Sequence, residues 1–263
     1  MLSGLGVLLM PKSFRPGSIA QGWSILARRQ RFRPYNHATA VFNAAKTRRA
    51  TLLAAATLLA AALGIAPVSA APLRILAFGD SLTAGYGLAA GEAFPVRLQE
   101  RLVADGYPVQ IANGGVSGDT TAGGLARLDW ALADKPDIVL VEFGANDMLR
   151  GIDPKVTYDN LDKIMARIAQ SGAKMLLLGM KAASNWGREY QRSFDAIYPA
   201  LAEKYHAPLY PFFLDGVATD AALNQADGLH PNPQGVALIV ERVSPYLERL
   251  LGRPAASAGS SSG

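Results

Sequence analysis

Short apolar segments alternate with amphipathic segments between residues 73 and 252. Five runs are rich in Val, Ile, Leu and aromatic residues and are bounded by Gly, Pro or charged residues, which predicts strands. They are LRILAFG (73–79), PVQIANG (108–114), PDIVLVEFG (136–144), KMLLLGM (174–180) and APLYPFF (207–213). Each run is short and apolar enough to be buried on both faces of a sheet, as the strands of parallel sheets are.

Amphipathic segments separate these strands and predict helices. They lie at residues 93–106, 121–134, 157–172, 188–206 and 232–252. In the third segment four apolar residues recur at helical spacing, and a glycine at position 172 supplies a stop. The four are Leu161, Ile164, Met165 and Ile168. We interpret this stripe as a core face of the helix and not as a binding face.

The alternation of strands and helices is typical of a parallel sheet covered by helices on both faces. We therefore expect one α/β domain, a three-layer α/β/α sandwich around a five-stranded parallel sheet. Half of the 263 residues are apolar, which is enough for one sizeable core. The sequence contains no internal repeat that would indicate a second domain.

The first 70 residues differ in charge from the rest of the chain. They hold nine of the 26 Lys and Arg residues and none of the 21 Asp and Glu residues. A basic cluster at 46–49 precedes an apolar run that ends near Ala66, and Val68-Ser69-Ala70 is a small-residue cleavage pattern. We expect residues 46–70 to be a signal peptide cleaved near Ala70, so that the mature chain is periplasmic or secreted. A transmembrane anchor is the alternative, but the run is shorter than the roughly 20 residues of a span and consists largely of Ala.

Two further segments lie outside the expected domain. Residues 1–45 form a basic extension without apolar periodicity, and we interpret them as a misassigned translation start, with Val41 as the true initiator. Residues 253–263 are small and polar and are expected to be a disordered tail. The domain itself is expected to span residues 71–252.

The charge of the expected mature chain argues against one class of partner. The 17 basic residues beyond residue 70 face all 21 acidic residues, which gives residues 71–263 a net charge of −4 although the whole chain carries +5. The high isoelectric point is therefore no evidence for nucleic-acid binding. The chain has no Cys, which excludes disulfides and a lipid anchor on cysteine.

Polar, glycine-rich loops follow three of the predicted strands. GDS (79–81) follows the first strand, NGGVSGDT (113–120) the second and GAND (144–147) the third, whereas DGLHPN (227–232) precedes the last helix. In open α/β sheets functional groups collect beyond the carboxyl ends of the strands. We therefore expect these four loops to meet at one edge of the sheet.

Ser81 and His230 are the side chains of these loops that could perform nucleophilic catalysis. Ser81 taken alone could simply cap a helix. His230 follows Asp227 by three residues, so the carboxylate could accept a hydrogen bond from Nδ1 and leave Nε2 free to take a proton, unless this is a loop histidine with an Asp nearby by chance. Because a serine nucleophile needs such a base, the combination predicts a Ser-His-Asp triad. His37 lies in the leader, and His206 has the position of a helix cap.

An attacked carbonyl becomes an oxyanion and needs prepositioned hydrogen-bond donors. The candidates are the backbone N–H groups of Ser81 and Gly118 and the side-chain amide of Asn146. Each such donor is typically worth about 2.7–4 kcal/mol of the barrier. Glycine lets the backbone approach a substrate closely, and the Asn amide carries a donor that the neighbouring Asp147 lacks. Asp80 is expected to hold the turn by side-chain hydrogen bonds to the backbone.

Four motifs resemble, in order, those of the SGNH subgroup of the GDSL hydrolases. They are FGDSLTAGYG, SGDTTAGGLARL, VEFGANDMLRG and DGLHPN, and the similarity extends to NWGREY and FDAIYPALAEKY. The resemblance places the family's nucleophile, glycine donor, asparagine donor, acid and base at Ser81, Gly118, Asn146, Asp227 and His230. It implies a flavodoxin-like fold with strand order 2-1-3-4-5 and no metal or organic cofactor. Glu142 could in principle ligate a metal, but it belongs to no cluster with ligand spacing.

These motifs do not choose the substrate, because serine-based acyl transfer handles oxygen esters and thioesters alike. The resemblance implies a small-molecule acyl ester or thioester, as for an arylesterase, acyl-CoA thioesterase or lysophospholipase. We expect a monomer without stable membrane insertion. A carbohydrate O-deacetylase with the same catalytic set is one alternative, and a groove rich in aromatic and polar residues would favour it. A non-catalytic binding protein is another, but it would have no need of the complete set.

The segment MLRGIDP (148–154) directly follows the asparagine donor. Met148, Leu149 and Ile152 are expected to form one wall of an acyl-binding groove, the alternative being a capped strand exit. Ala182 is expected at the same groove. Together with Ala183 it stands where similar members of the family tend to carry a larger aliphatic residue or a proline, which would open or shorten the acyl site.

Overall fold

A five-stranded parallel sheet forms the centre of the protein. The computed structural model describes residues 71–252, so the expected leader, extension and tail lie outside the described residues. The strands are β1 Leu73–Gly79, β2 Val109–Gly115, β3 Ile138–Glu142, β4 Lys174–Leu178 and β5 Leu209–Tyr210. All neighbours are parallel in the order β2-β1-β3-β4-β5. The predicted strands, their order and the α/β/α fold class are confirmed.

Helices cover both faces of this sheet. They are α1 Ser81–Ala84, α2 Phe94–Ala104, α3 Thr121–Ala131, α4 Ala145–Leu149, α5 Pro154–Ser171, α6 Arg188–Asp195, α7 Ile197–Tyr205 and α8 Pro233–Leu251, with 3₁₀ turns at Ala90–Glu92 and Ser184–Trp186. α2 packs against α8, whereas α5 packs against both α3 and α7. The connections from β1 to β2 and from β2 to β3 run in opposite directions along the sheet, so right-handed crossovers place α2 and α3 on opposite faces.

The core lies between the sheet and the helices. Leu161, Ile164, Met165 and Ile168 of α5 are fully buried, which confirms the predicted core stripe. Gly172 ends α5 with a φ of 83°, a left-handed conformation that glycine adopts without strain. Every residue of the central strand β3 is buried.

Two expectations about these elements are wrong. β2 is mostly exposed or half-buried and not buried on both faces, because it is an edge strand that pairs with β1 alone. The single helix predicted at residues 188–206 is two helices, α6 and α7, which meet at Ala196. Pro199 explains the break, because it has no N–H to donate to the carbonyl of Asp195 and its ring would collide with that carbonyl in a continuous helix.

The register of the sheet brings the carboxyl ends of four strands to one level. Gly79 of β1 pairs with Gly115 of β2 and with Glu142 of β3, and Glu142 pairs in turn with Leu178 of β4. The loops that follow these residues therefore leave the sheet side by side, as the sequence predicted.

Candidate active site

The turn after β1 presents Ser81 at the edge of the sheet. Ser81 is the first residue of the short helix α1, directly after Asp80. Asp80 caps this helix, since its Oδ1 atom accepts a hydrogen bond from the backbone N–H of Leu82 at 3.0 Å. The predicted role of Asp80 in holding the turn is confirmed. The alternative that Ser81 is the cap is wrong, and its hydroxyl meets His230 instead.

Ser81, His230 and Asp227 form one row of hydrogen bonds. The Nε2 atom of His230 lies 2.9 Å from Oγ of Ser81, and Nδ1 lies 2.7 Å from Oδ2 of Asp227. The other carboxylate oxygen, Oδ1, accepts hydrogen bonds from the backbone N–H groups of Leu229 at 2.9 Å and His230 at 3.0 Å. These hydrogen bonds, with the backbone N–H of His230 first, lower the pKa of Asp227 from 3.8 to about 2. A carboxylate in this position holds the imidazole proton on Nδ1 and leaves Nε2 to face the serine.

Tyr86 covers one face of His230, and the sequence analysis did not identify it. The ring centroids are 4.7 Å apart, with 40° between the ring planes. Gln225 ties the two loops together, because its Nε2 donates to the carbonyl of Tyr86 at 2.7 Å and its backbone N–H donates to the carbonyl of His230 at 2.8 Å. An aromatic residue five positions after Ser81 was visible in the motif FGDSLTAGYG, but nothing local indicates that it meets the imidazole.

The remaining histidines are not part of this row. His206 ends α7 with a φ of 49°, and its backbone N–H donates to the carbonyl of Glu203 at 3.2 Å, which confirms the predicted cap. His37 lies outside the described residues. Among residues 71–252, His230 is therefore the histidine that reaches Ser81.

Gly118 and Asn146, the other candidate oxyanion donors, line the same cavity as Ser81. Gly118 has a φ of 84°, which favours glycine, and Nη2 of Arg150 donates to its carbonyl at 2.8 Å. The Nδ2 atom of Asn146 donates one hydrogen to Oδ2 of Asp80 at 3.1 Å. Because an amide nitrogen carries two hydrogens, the second is available to a bound substrate.

Asp147, the neighbour of Asn146, holds the surrounding loops together. Its buried carboxylate accepts the backbone N–H of Thr121 at 2.8 Å and the Thr121 hydroxyl at 2.5 Å. It also accepts the hydroxyl of Thr157 at 3.2 Å. These contacts connect the first turns of α3 and α5 to the short helix α4, so one buried carboxyl group fixes the segments on either side of the candidate donors.

A second buried carboxyl group, that of Glu142, lies beneath the turn that carries Ser81. Its Oε2 atom accepts the backbone N–H of Asp80 at 3.3 Å and the hydroxyl of Thr83 at 2.8 Å. Burial raises the pKa of Asp80 from 3.8 to about 6. Burial, and then the adjacent Asp80 carboxyl, raise the pKa of Glu142 well above 4.5. Within residues 71–252 no group of three or more His, Cys, Asp or Glu side chains could hold a metal ion.

An apolar cavity of about 490 Å³ opens beside Ser81. Loops after all five strands contribute to it, and Lys181 and Thr219 add polar groups. Its larger aliphatic and aromatic lining residues are Leu82, Tyr86, Met148, Leu149, Met180, Phe212, Leu214 and Leu229. This volume and lining are typical of a pocket for a small, largely apolar ligand. Met180, Phe212 and Leu214 were not predicted from the sequence, although their position after β4 and β5 is the same signal that identified the other loops.

The predicted acyl wall is only partly present in this cavity. Met148, Leu149 and Ala182 line it, as does Ala183, and Met148 and Leu149 belong to the short helix α4 and not to a loop. Ile152 does not line it, so that expectation is wrong. The turn between α4 and α5 carries Ile152 to the side of α6, where its carbonyl accepts a hydrogen bond from the hydroxyl of Tyr190 at 2.9 Å.

Comparison with known sequences finds one family over most of this domain. The sequence model of the GDSL-like Lipase/Acylhydrolase family matches residues 77–238. The arylesterase of Vibrio mimicus is 42% identical over 188 residues, which cover 71% of this chain and 94% of the relative. Thioesterase 1/protease 1/lysophospholipase L1 of Escherichia coli (strain K12) is 38% identical over 184 residues, which cover 70% of this chain and 87% of the relative.

The fold has solved counterparts as well. The crystal structure of AlinE4, an SGNH-hydrolase family esterase, matches with a TM-score of 0.59 and 46% sequence identity. The match covers 70% of this chain and 100% of that chain. The described domain is therefore similar in sequence and in fold to esterases of this family over most of their length.

Proposed function

The chain belongs to the GDSL-like Lipase/Acylhydrolase family and is a hydrolase, and from this premise we propose that it cleaves carboxylic esters and thioesters through an acyl-enzyme on Ser81. His230 acts as general base, and Asp227 orients it. One observation carries the proposal, the unbroken row of hydrogen bonds from the Ser81 hydroxyl through the imidazole to the Asp227 carboxylate.

Acylation begins when Oγ of Ser81 attacks the carbonyl carbon of the substrate. Nε2 of His230 takes the hydroxyl proton as the new carbon–oxygen bond forms. The tetrahedral intermediate then expels the alcohol or thiol, which receives that proton from Nε2. Asp227 stays ionised throughout because its hydrogen bonds lower its pKa, so it stabilises the imidazolium that exists between the two proton transfers.

The negative charge of the intermediate is stabilised by three donors. These are the backbone N–H groups of Ser81 and Gly118 and the second amide hydrogen of Asn146. Asp80 fixes the Asn146 amide by accepting its other hydrogen, so this donor does not have to reorient during the reaction. In deacylation water attacks the acyl carbonyl while Nε2 of His230 takes its proton. The second tetrahedral intermediate then releases the carboxylic acid and Oγ of Ser81, which receives that proton from Nε2.

The cavity beside Ser81 supports an apolar acyl group as the part of the substrate that is recognised. Met148 and Leu149 provide apolar surface, and the small side chains of Ala182 and Ala183 leave room in the cavity that larger side chains would fill. One relative is named an arylesterase and another a thioesterase and lysophospholipase. We propose aryl and alkyl esters, acyl thioesters and lysophospholipids as the substrate classes of this chain.

The lining of the cavity gives less support to a carbohydrate O-deacetylase. Sugar recognition would be favoured by polar side chains around the site, whereas the lining surface here is mostly apolar. The acyl-ester assignment is therefore the better one.

The cellular location of the mature chain is inferred from the expected signal peptide at residues 46–70. We propose that residues 46–70 direct export and are cleaved near Ala70, and that residues 71–252 act as a monomeric hydrolase domain in the periplasm or outside the cell. The basic cluster and the short Ala-rich run support export. Within residues 71–252 no helix has the length and apolar character of a membrane span.

Hydrolysis of p-nitrophenyl esters from acetyl to palmitoyl, with palmitoyl-CoA alongside, tests the proposal. Ser81→Ala is expected to lower kcat by at least about 10³-fold, because the nucleophile is removed. Ser193→Ala is the matched control, since Ser193 is an exposed residue of α6 that neither lines the cavity beside Ser81 nor belongs to the row of hydrogen bonds, and it is expected to retain activity. A Ser81→Ala protein as active as the wild type would refute the assignment.

A further inference from the structure

Glu142 is a fully buried residue with an ionisable side chain that the proposed reaction does not use. It ends the central strand β3, directly beside Gly79 of β1. Its Oε2 atom accepts hydrogen bonds from the backbone N–H of Asp80 and from the hydroxyl of Thr83. These two residues lie on either side of Ser81, so one carboxyl oxygen holds both ends of the turn that carries the nucleophile.

The close approach of Glu142 to this turn depends on the glycine at position 79. A Cβ atom at Gly79 would lie 2.6 Å from Oε2 of Glu142 and 2.1 Å from Oγ1 of Thr83. Real side chains do not tolerate such distances, so the glycine leaves the space in which the carboxyl and the hydroxyl meet. The first residue of the GDS motif thus makes room for Glu142.

Asp80 extends the same set of contacts to the oxyanion side of the site. Glu142 accepts a hydrogen bond from the backbone of Asp80. The side chain of Asp80 in turn accepts hydrogen bonds from the backbone N–H of Leu82 and from the side-chain amide of Asn146. A displacement of Glu142 would therefore reach the nucleophile and the amide donor together.

We propose that Glu142 is a positioning residue for acyl transfer, because its carboxyl group clamps Asp80 and Thr83 and thereby fixes the Ser81 hydroxyl in line with His230 and the oxyanion donors. This inference rests on the function proposed for Ser81. A misplacement of about 1 Å of a reacting group can lower the rate about 10²-fold, so a clamp at this place has a measurable consequence.

The neutral form of Glu142 is the form that fits this role. Oε1 is buried and accepts no hydrogen bond from the described residues, which a charged carboxylate would not tolerate, whereas a protonated carboxyl group can donate to the adjacent Asp80 carboxylate. A negative charge there would also face the Asp80 carboxyl and oppose the oxyanion. The guanidinium of Arg127 is close by, since it donates to the carbonyl of Gly79 at 2.8 Å, but it is paired with Asp119 at 2.6 Å. A neutral amide should therefore replace the carboxyl with little loss.

The experiment compares Glu142→Gln with Glu142→Met in the purified protein. The rate of phosphonylation of Ser81 by a fluorophosphonate is measured together with kcat and KM for p-nitrophenyl butyrate and with Tm. Glu142→Gln keeps an oxygen acceptor and is expected to stay within about threefold of the wild type. Glu142→Met keeps the volume without an acceptor and is expected to lower labelling and kcat about 10- to 100-fold, with KM within about twofold.

A second pair of variants keeps the test valid if Glu142→Met does not fold. Thr83→Val removes one hydrogen bond to Glu142 without changing the shape, and it is expected to lower labelling about three- to tenfold, whereas Thr83→Ser should retain the wild-type rate. Met165→Ala, in the buried stripe of α5, lowers Tm without touching the site and should leave labelling unchanged.

Two outcomes would overturn the inference, and they are distinguishable from each other. If the wild type is labelled at Ser81 and Glu142→Met or Thr83→Val is labelled equally fast, the role of Glu142 fails alone. If the wild type is neither labelled at Ser81 nor active, the proposed function fails, and the positioning role fails with it. A loss in Glu142→Gln as large as in Glu142→Met would refute the neutral form.

Discussion

The Nε2 atom of His230 lies 2.9 Å from Oγ of Ser81, although 149 positions of sequence separate the two residues. Ser81 follows the first strand of the sheet, and His230 precedes the last helix. Because the sheet and its loops bring these two residues together, we expect the site to depend both on its own side chains and on those that fix the loops.

Replacement of Asp227 by Asn is expected to lower kcat about 10³- to 10⁴-fold with little change in KM. The Asn oxygen can still accept the backbone N–H groups of Leu229 and His230, so the loop keeps its shape. Its amide group would then face Nδ1 and favour the tautomer that carries the proton on Nε2, which cannot act as a base. Steady-state kinetics on p-nitrophenyl butyrate measure this. Asp220→Asn, at a turn cap nearby in the chain, should stay within about twofold, and an active Asp227→Asn protein would contradict the triad.

Removal of the Tyr86 ring is expected to lower kcat/KM about three- to tenfold. The ring lies against His230 and would stabilise the imidazolium of the intermediates, an effect of about 0.5–1 kcal/mol at exposed sites and more where water is excluded. Tyr86→Phe keeps the ring and should remain within about twofold, whereas Tyr86→Ala should show the loss. Trp130→Ala removes an exposed aromatic side chain elsewhere and should have no effect, and equal rates in all three variants would show that the ring has no part in the reaction.

A charge at Leu149 is expected to change the preference for acyl-chain length. Leu149 lines the cavity while about half of it is exposed, so Leu149→Asp should fold normally but weaken binding of an apolar chain. Burial of each CH₂ group is worth about 0.8 kcal/mol, so kcat/KM for a decanoyl ester should fall about tenfold or more, and that for an acetyl ester by about twofold at most. Val156→Asp, on an exposed face of α5, is the control. An unchanged chain-length profile would place the acyl group elsewhere.

The buried carboxyl pair is expected to make the folded protein less stable as the pH rises. The pKa of Asp80 is 3.8 in the unfolded chain and is raised to about 6 in the folded protein. Between these two pH values the folded state holds a proton that the unfolded chain releases. This stabilising contribution is fully present below pH 3.8 and is lost as the pH rises through 6, and the raised pKa of Glu142 extends the loss upward. Asp227 has the opposite effect on stability, because its pKa is lowered in the folded protein. Its stabilising contribution is lost only as the pH falls below 3.8.

Urea unfolding of the wild type and of Glu142→Gln between pH 4 and 8 measures this effect. The variant cannot ionise at position 142, so its free energy of unfolding should fall less steeply with pH. Parallel curves for the two proteins would contradict the assignment of raised pKa values to this pair.

Most of the fold follows from local pattern. Apolar runs of strand length and the stripe on α5 depend only on side chains close in sequence, so the strands and the core face were predicted correctly from pattern, whereas the strand order followed from the resemblance of the motifs to a known family. The break at Ala196 was within reach of the same reasoning, because the missing N–H of Pro199 is a local property. The exposure of β2 is not a local property, because it follows from the place of β2 at the edge of the sheet, which only the strand order implied by the family resemblance contained.

The sequence by itself determined the chemical groups of the site and the loops that carry them, because Ser81, Asp227 and His230 are recognisable from motif and spacing alone. Only the tertiary structure decided what those groups touch. Tyr86 against the imidazole, the cavity walls at Phe212 and Leu214, and the absence of Ile152 from that lining all depend on how distant loops pack. The register that sets Gly79 beside Glu142 likewise brings a carboxyl group under the nucleophile. These relationships join residues far apart in the chain, and no local pattern encodes a distance between side chains that only meet when the sheet has formed.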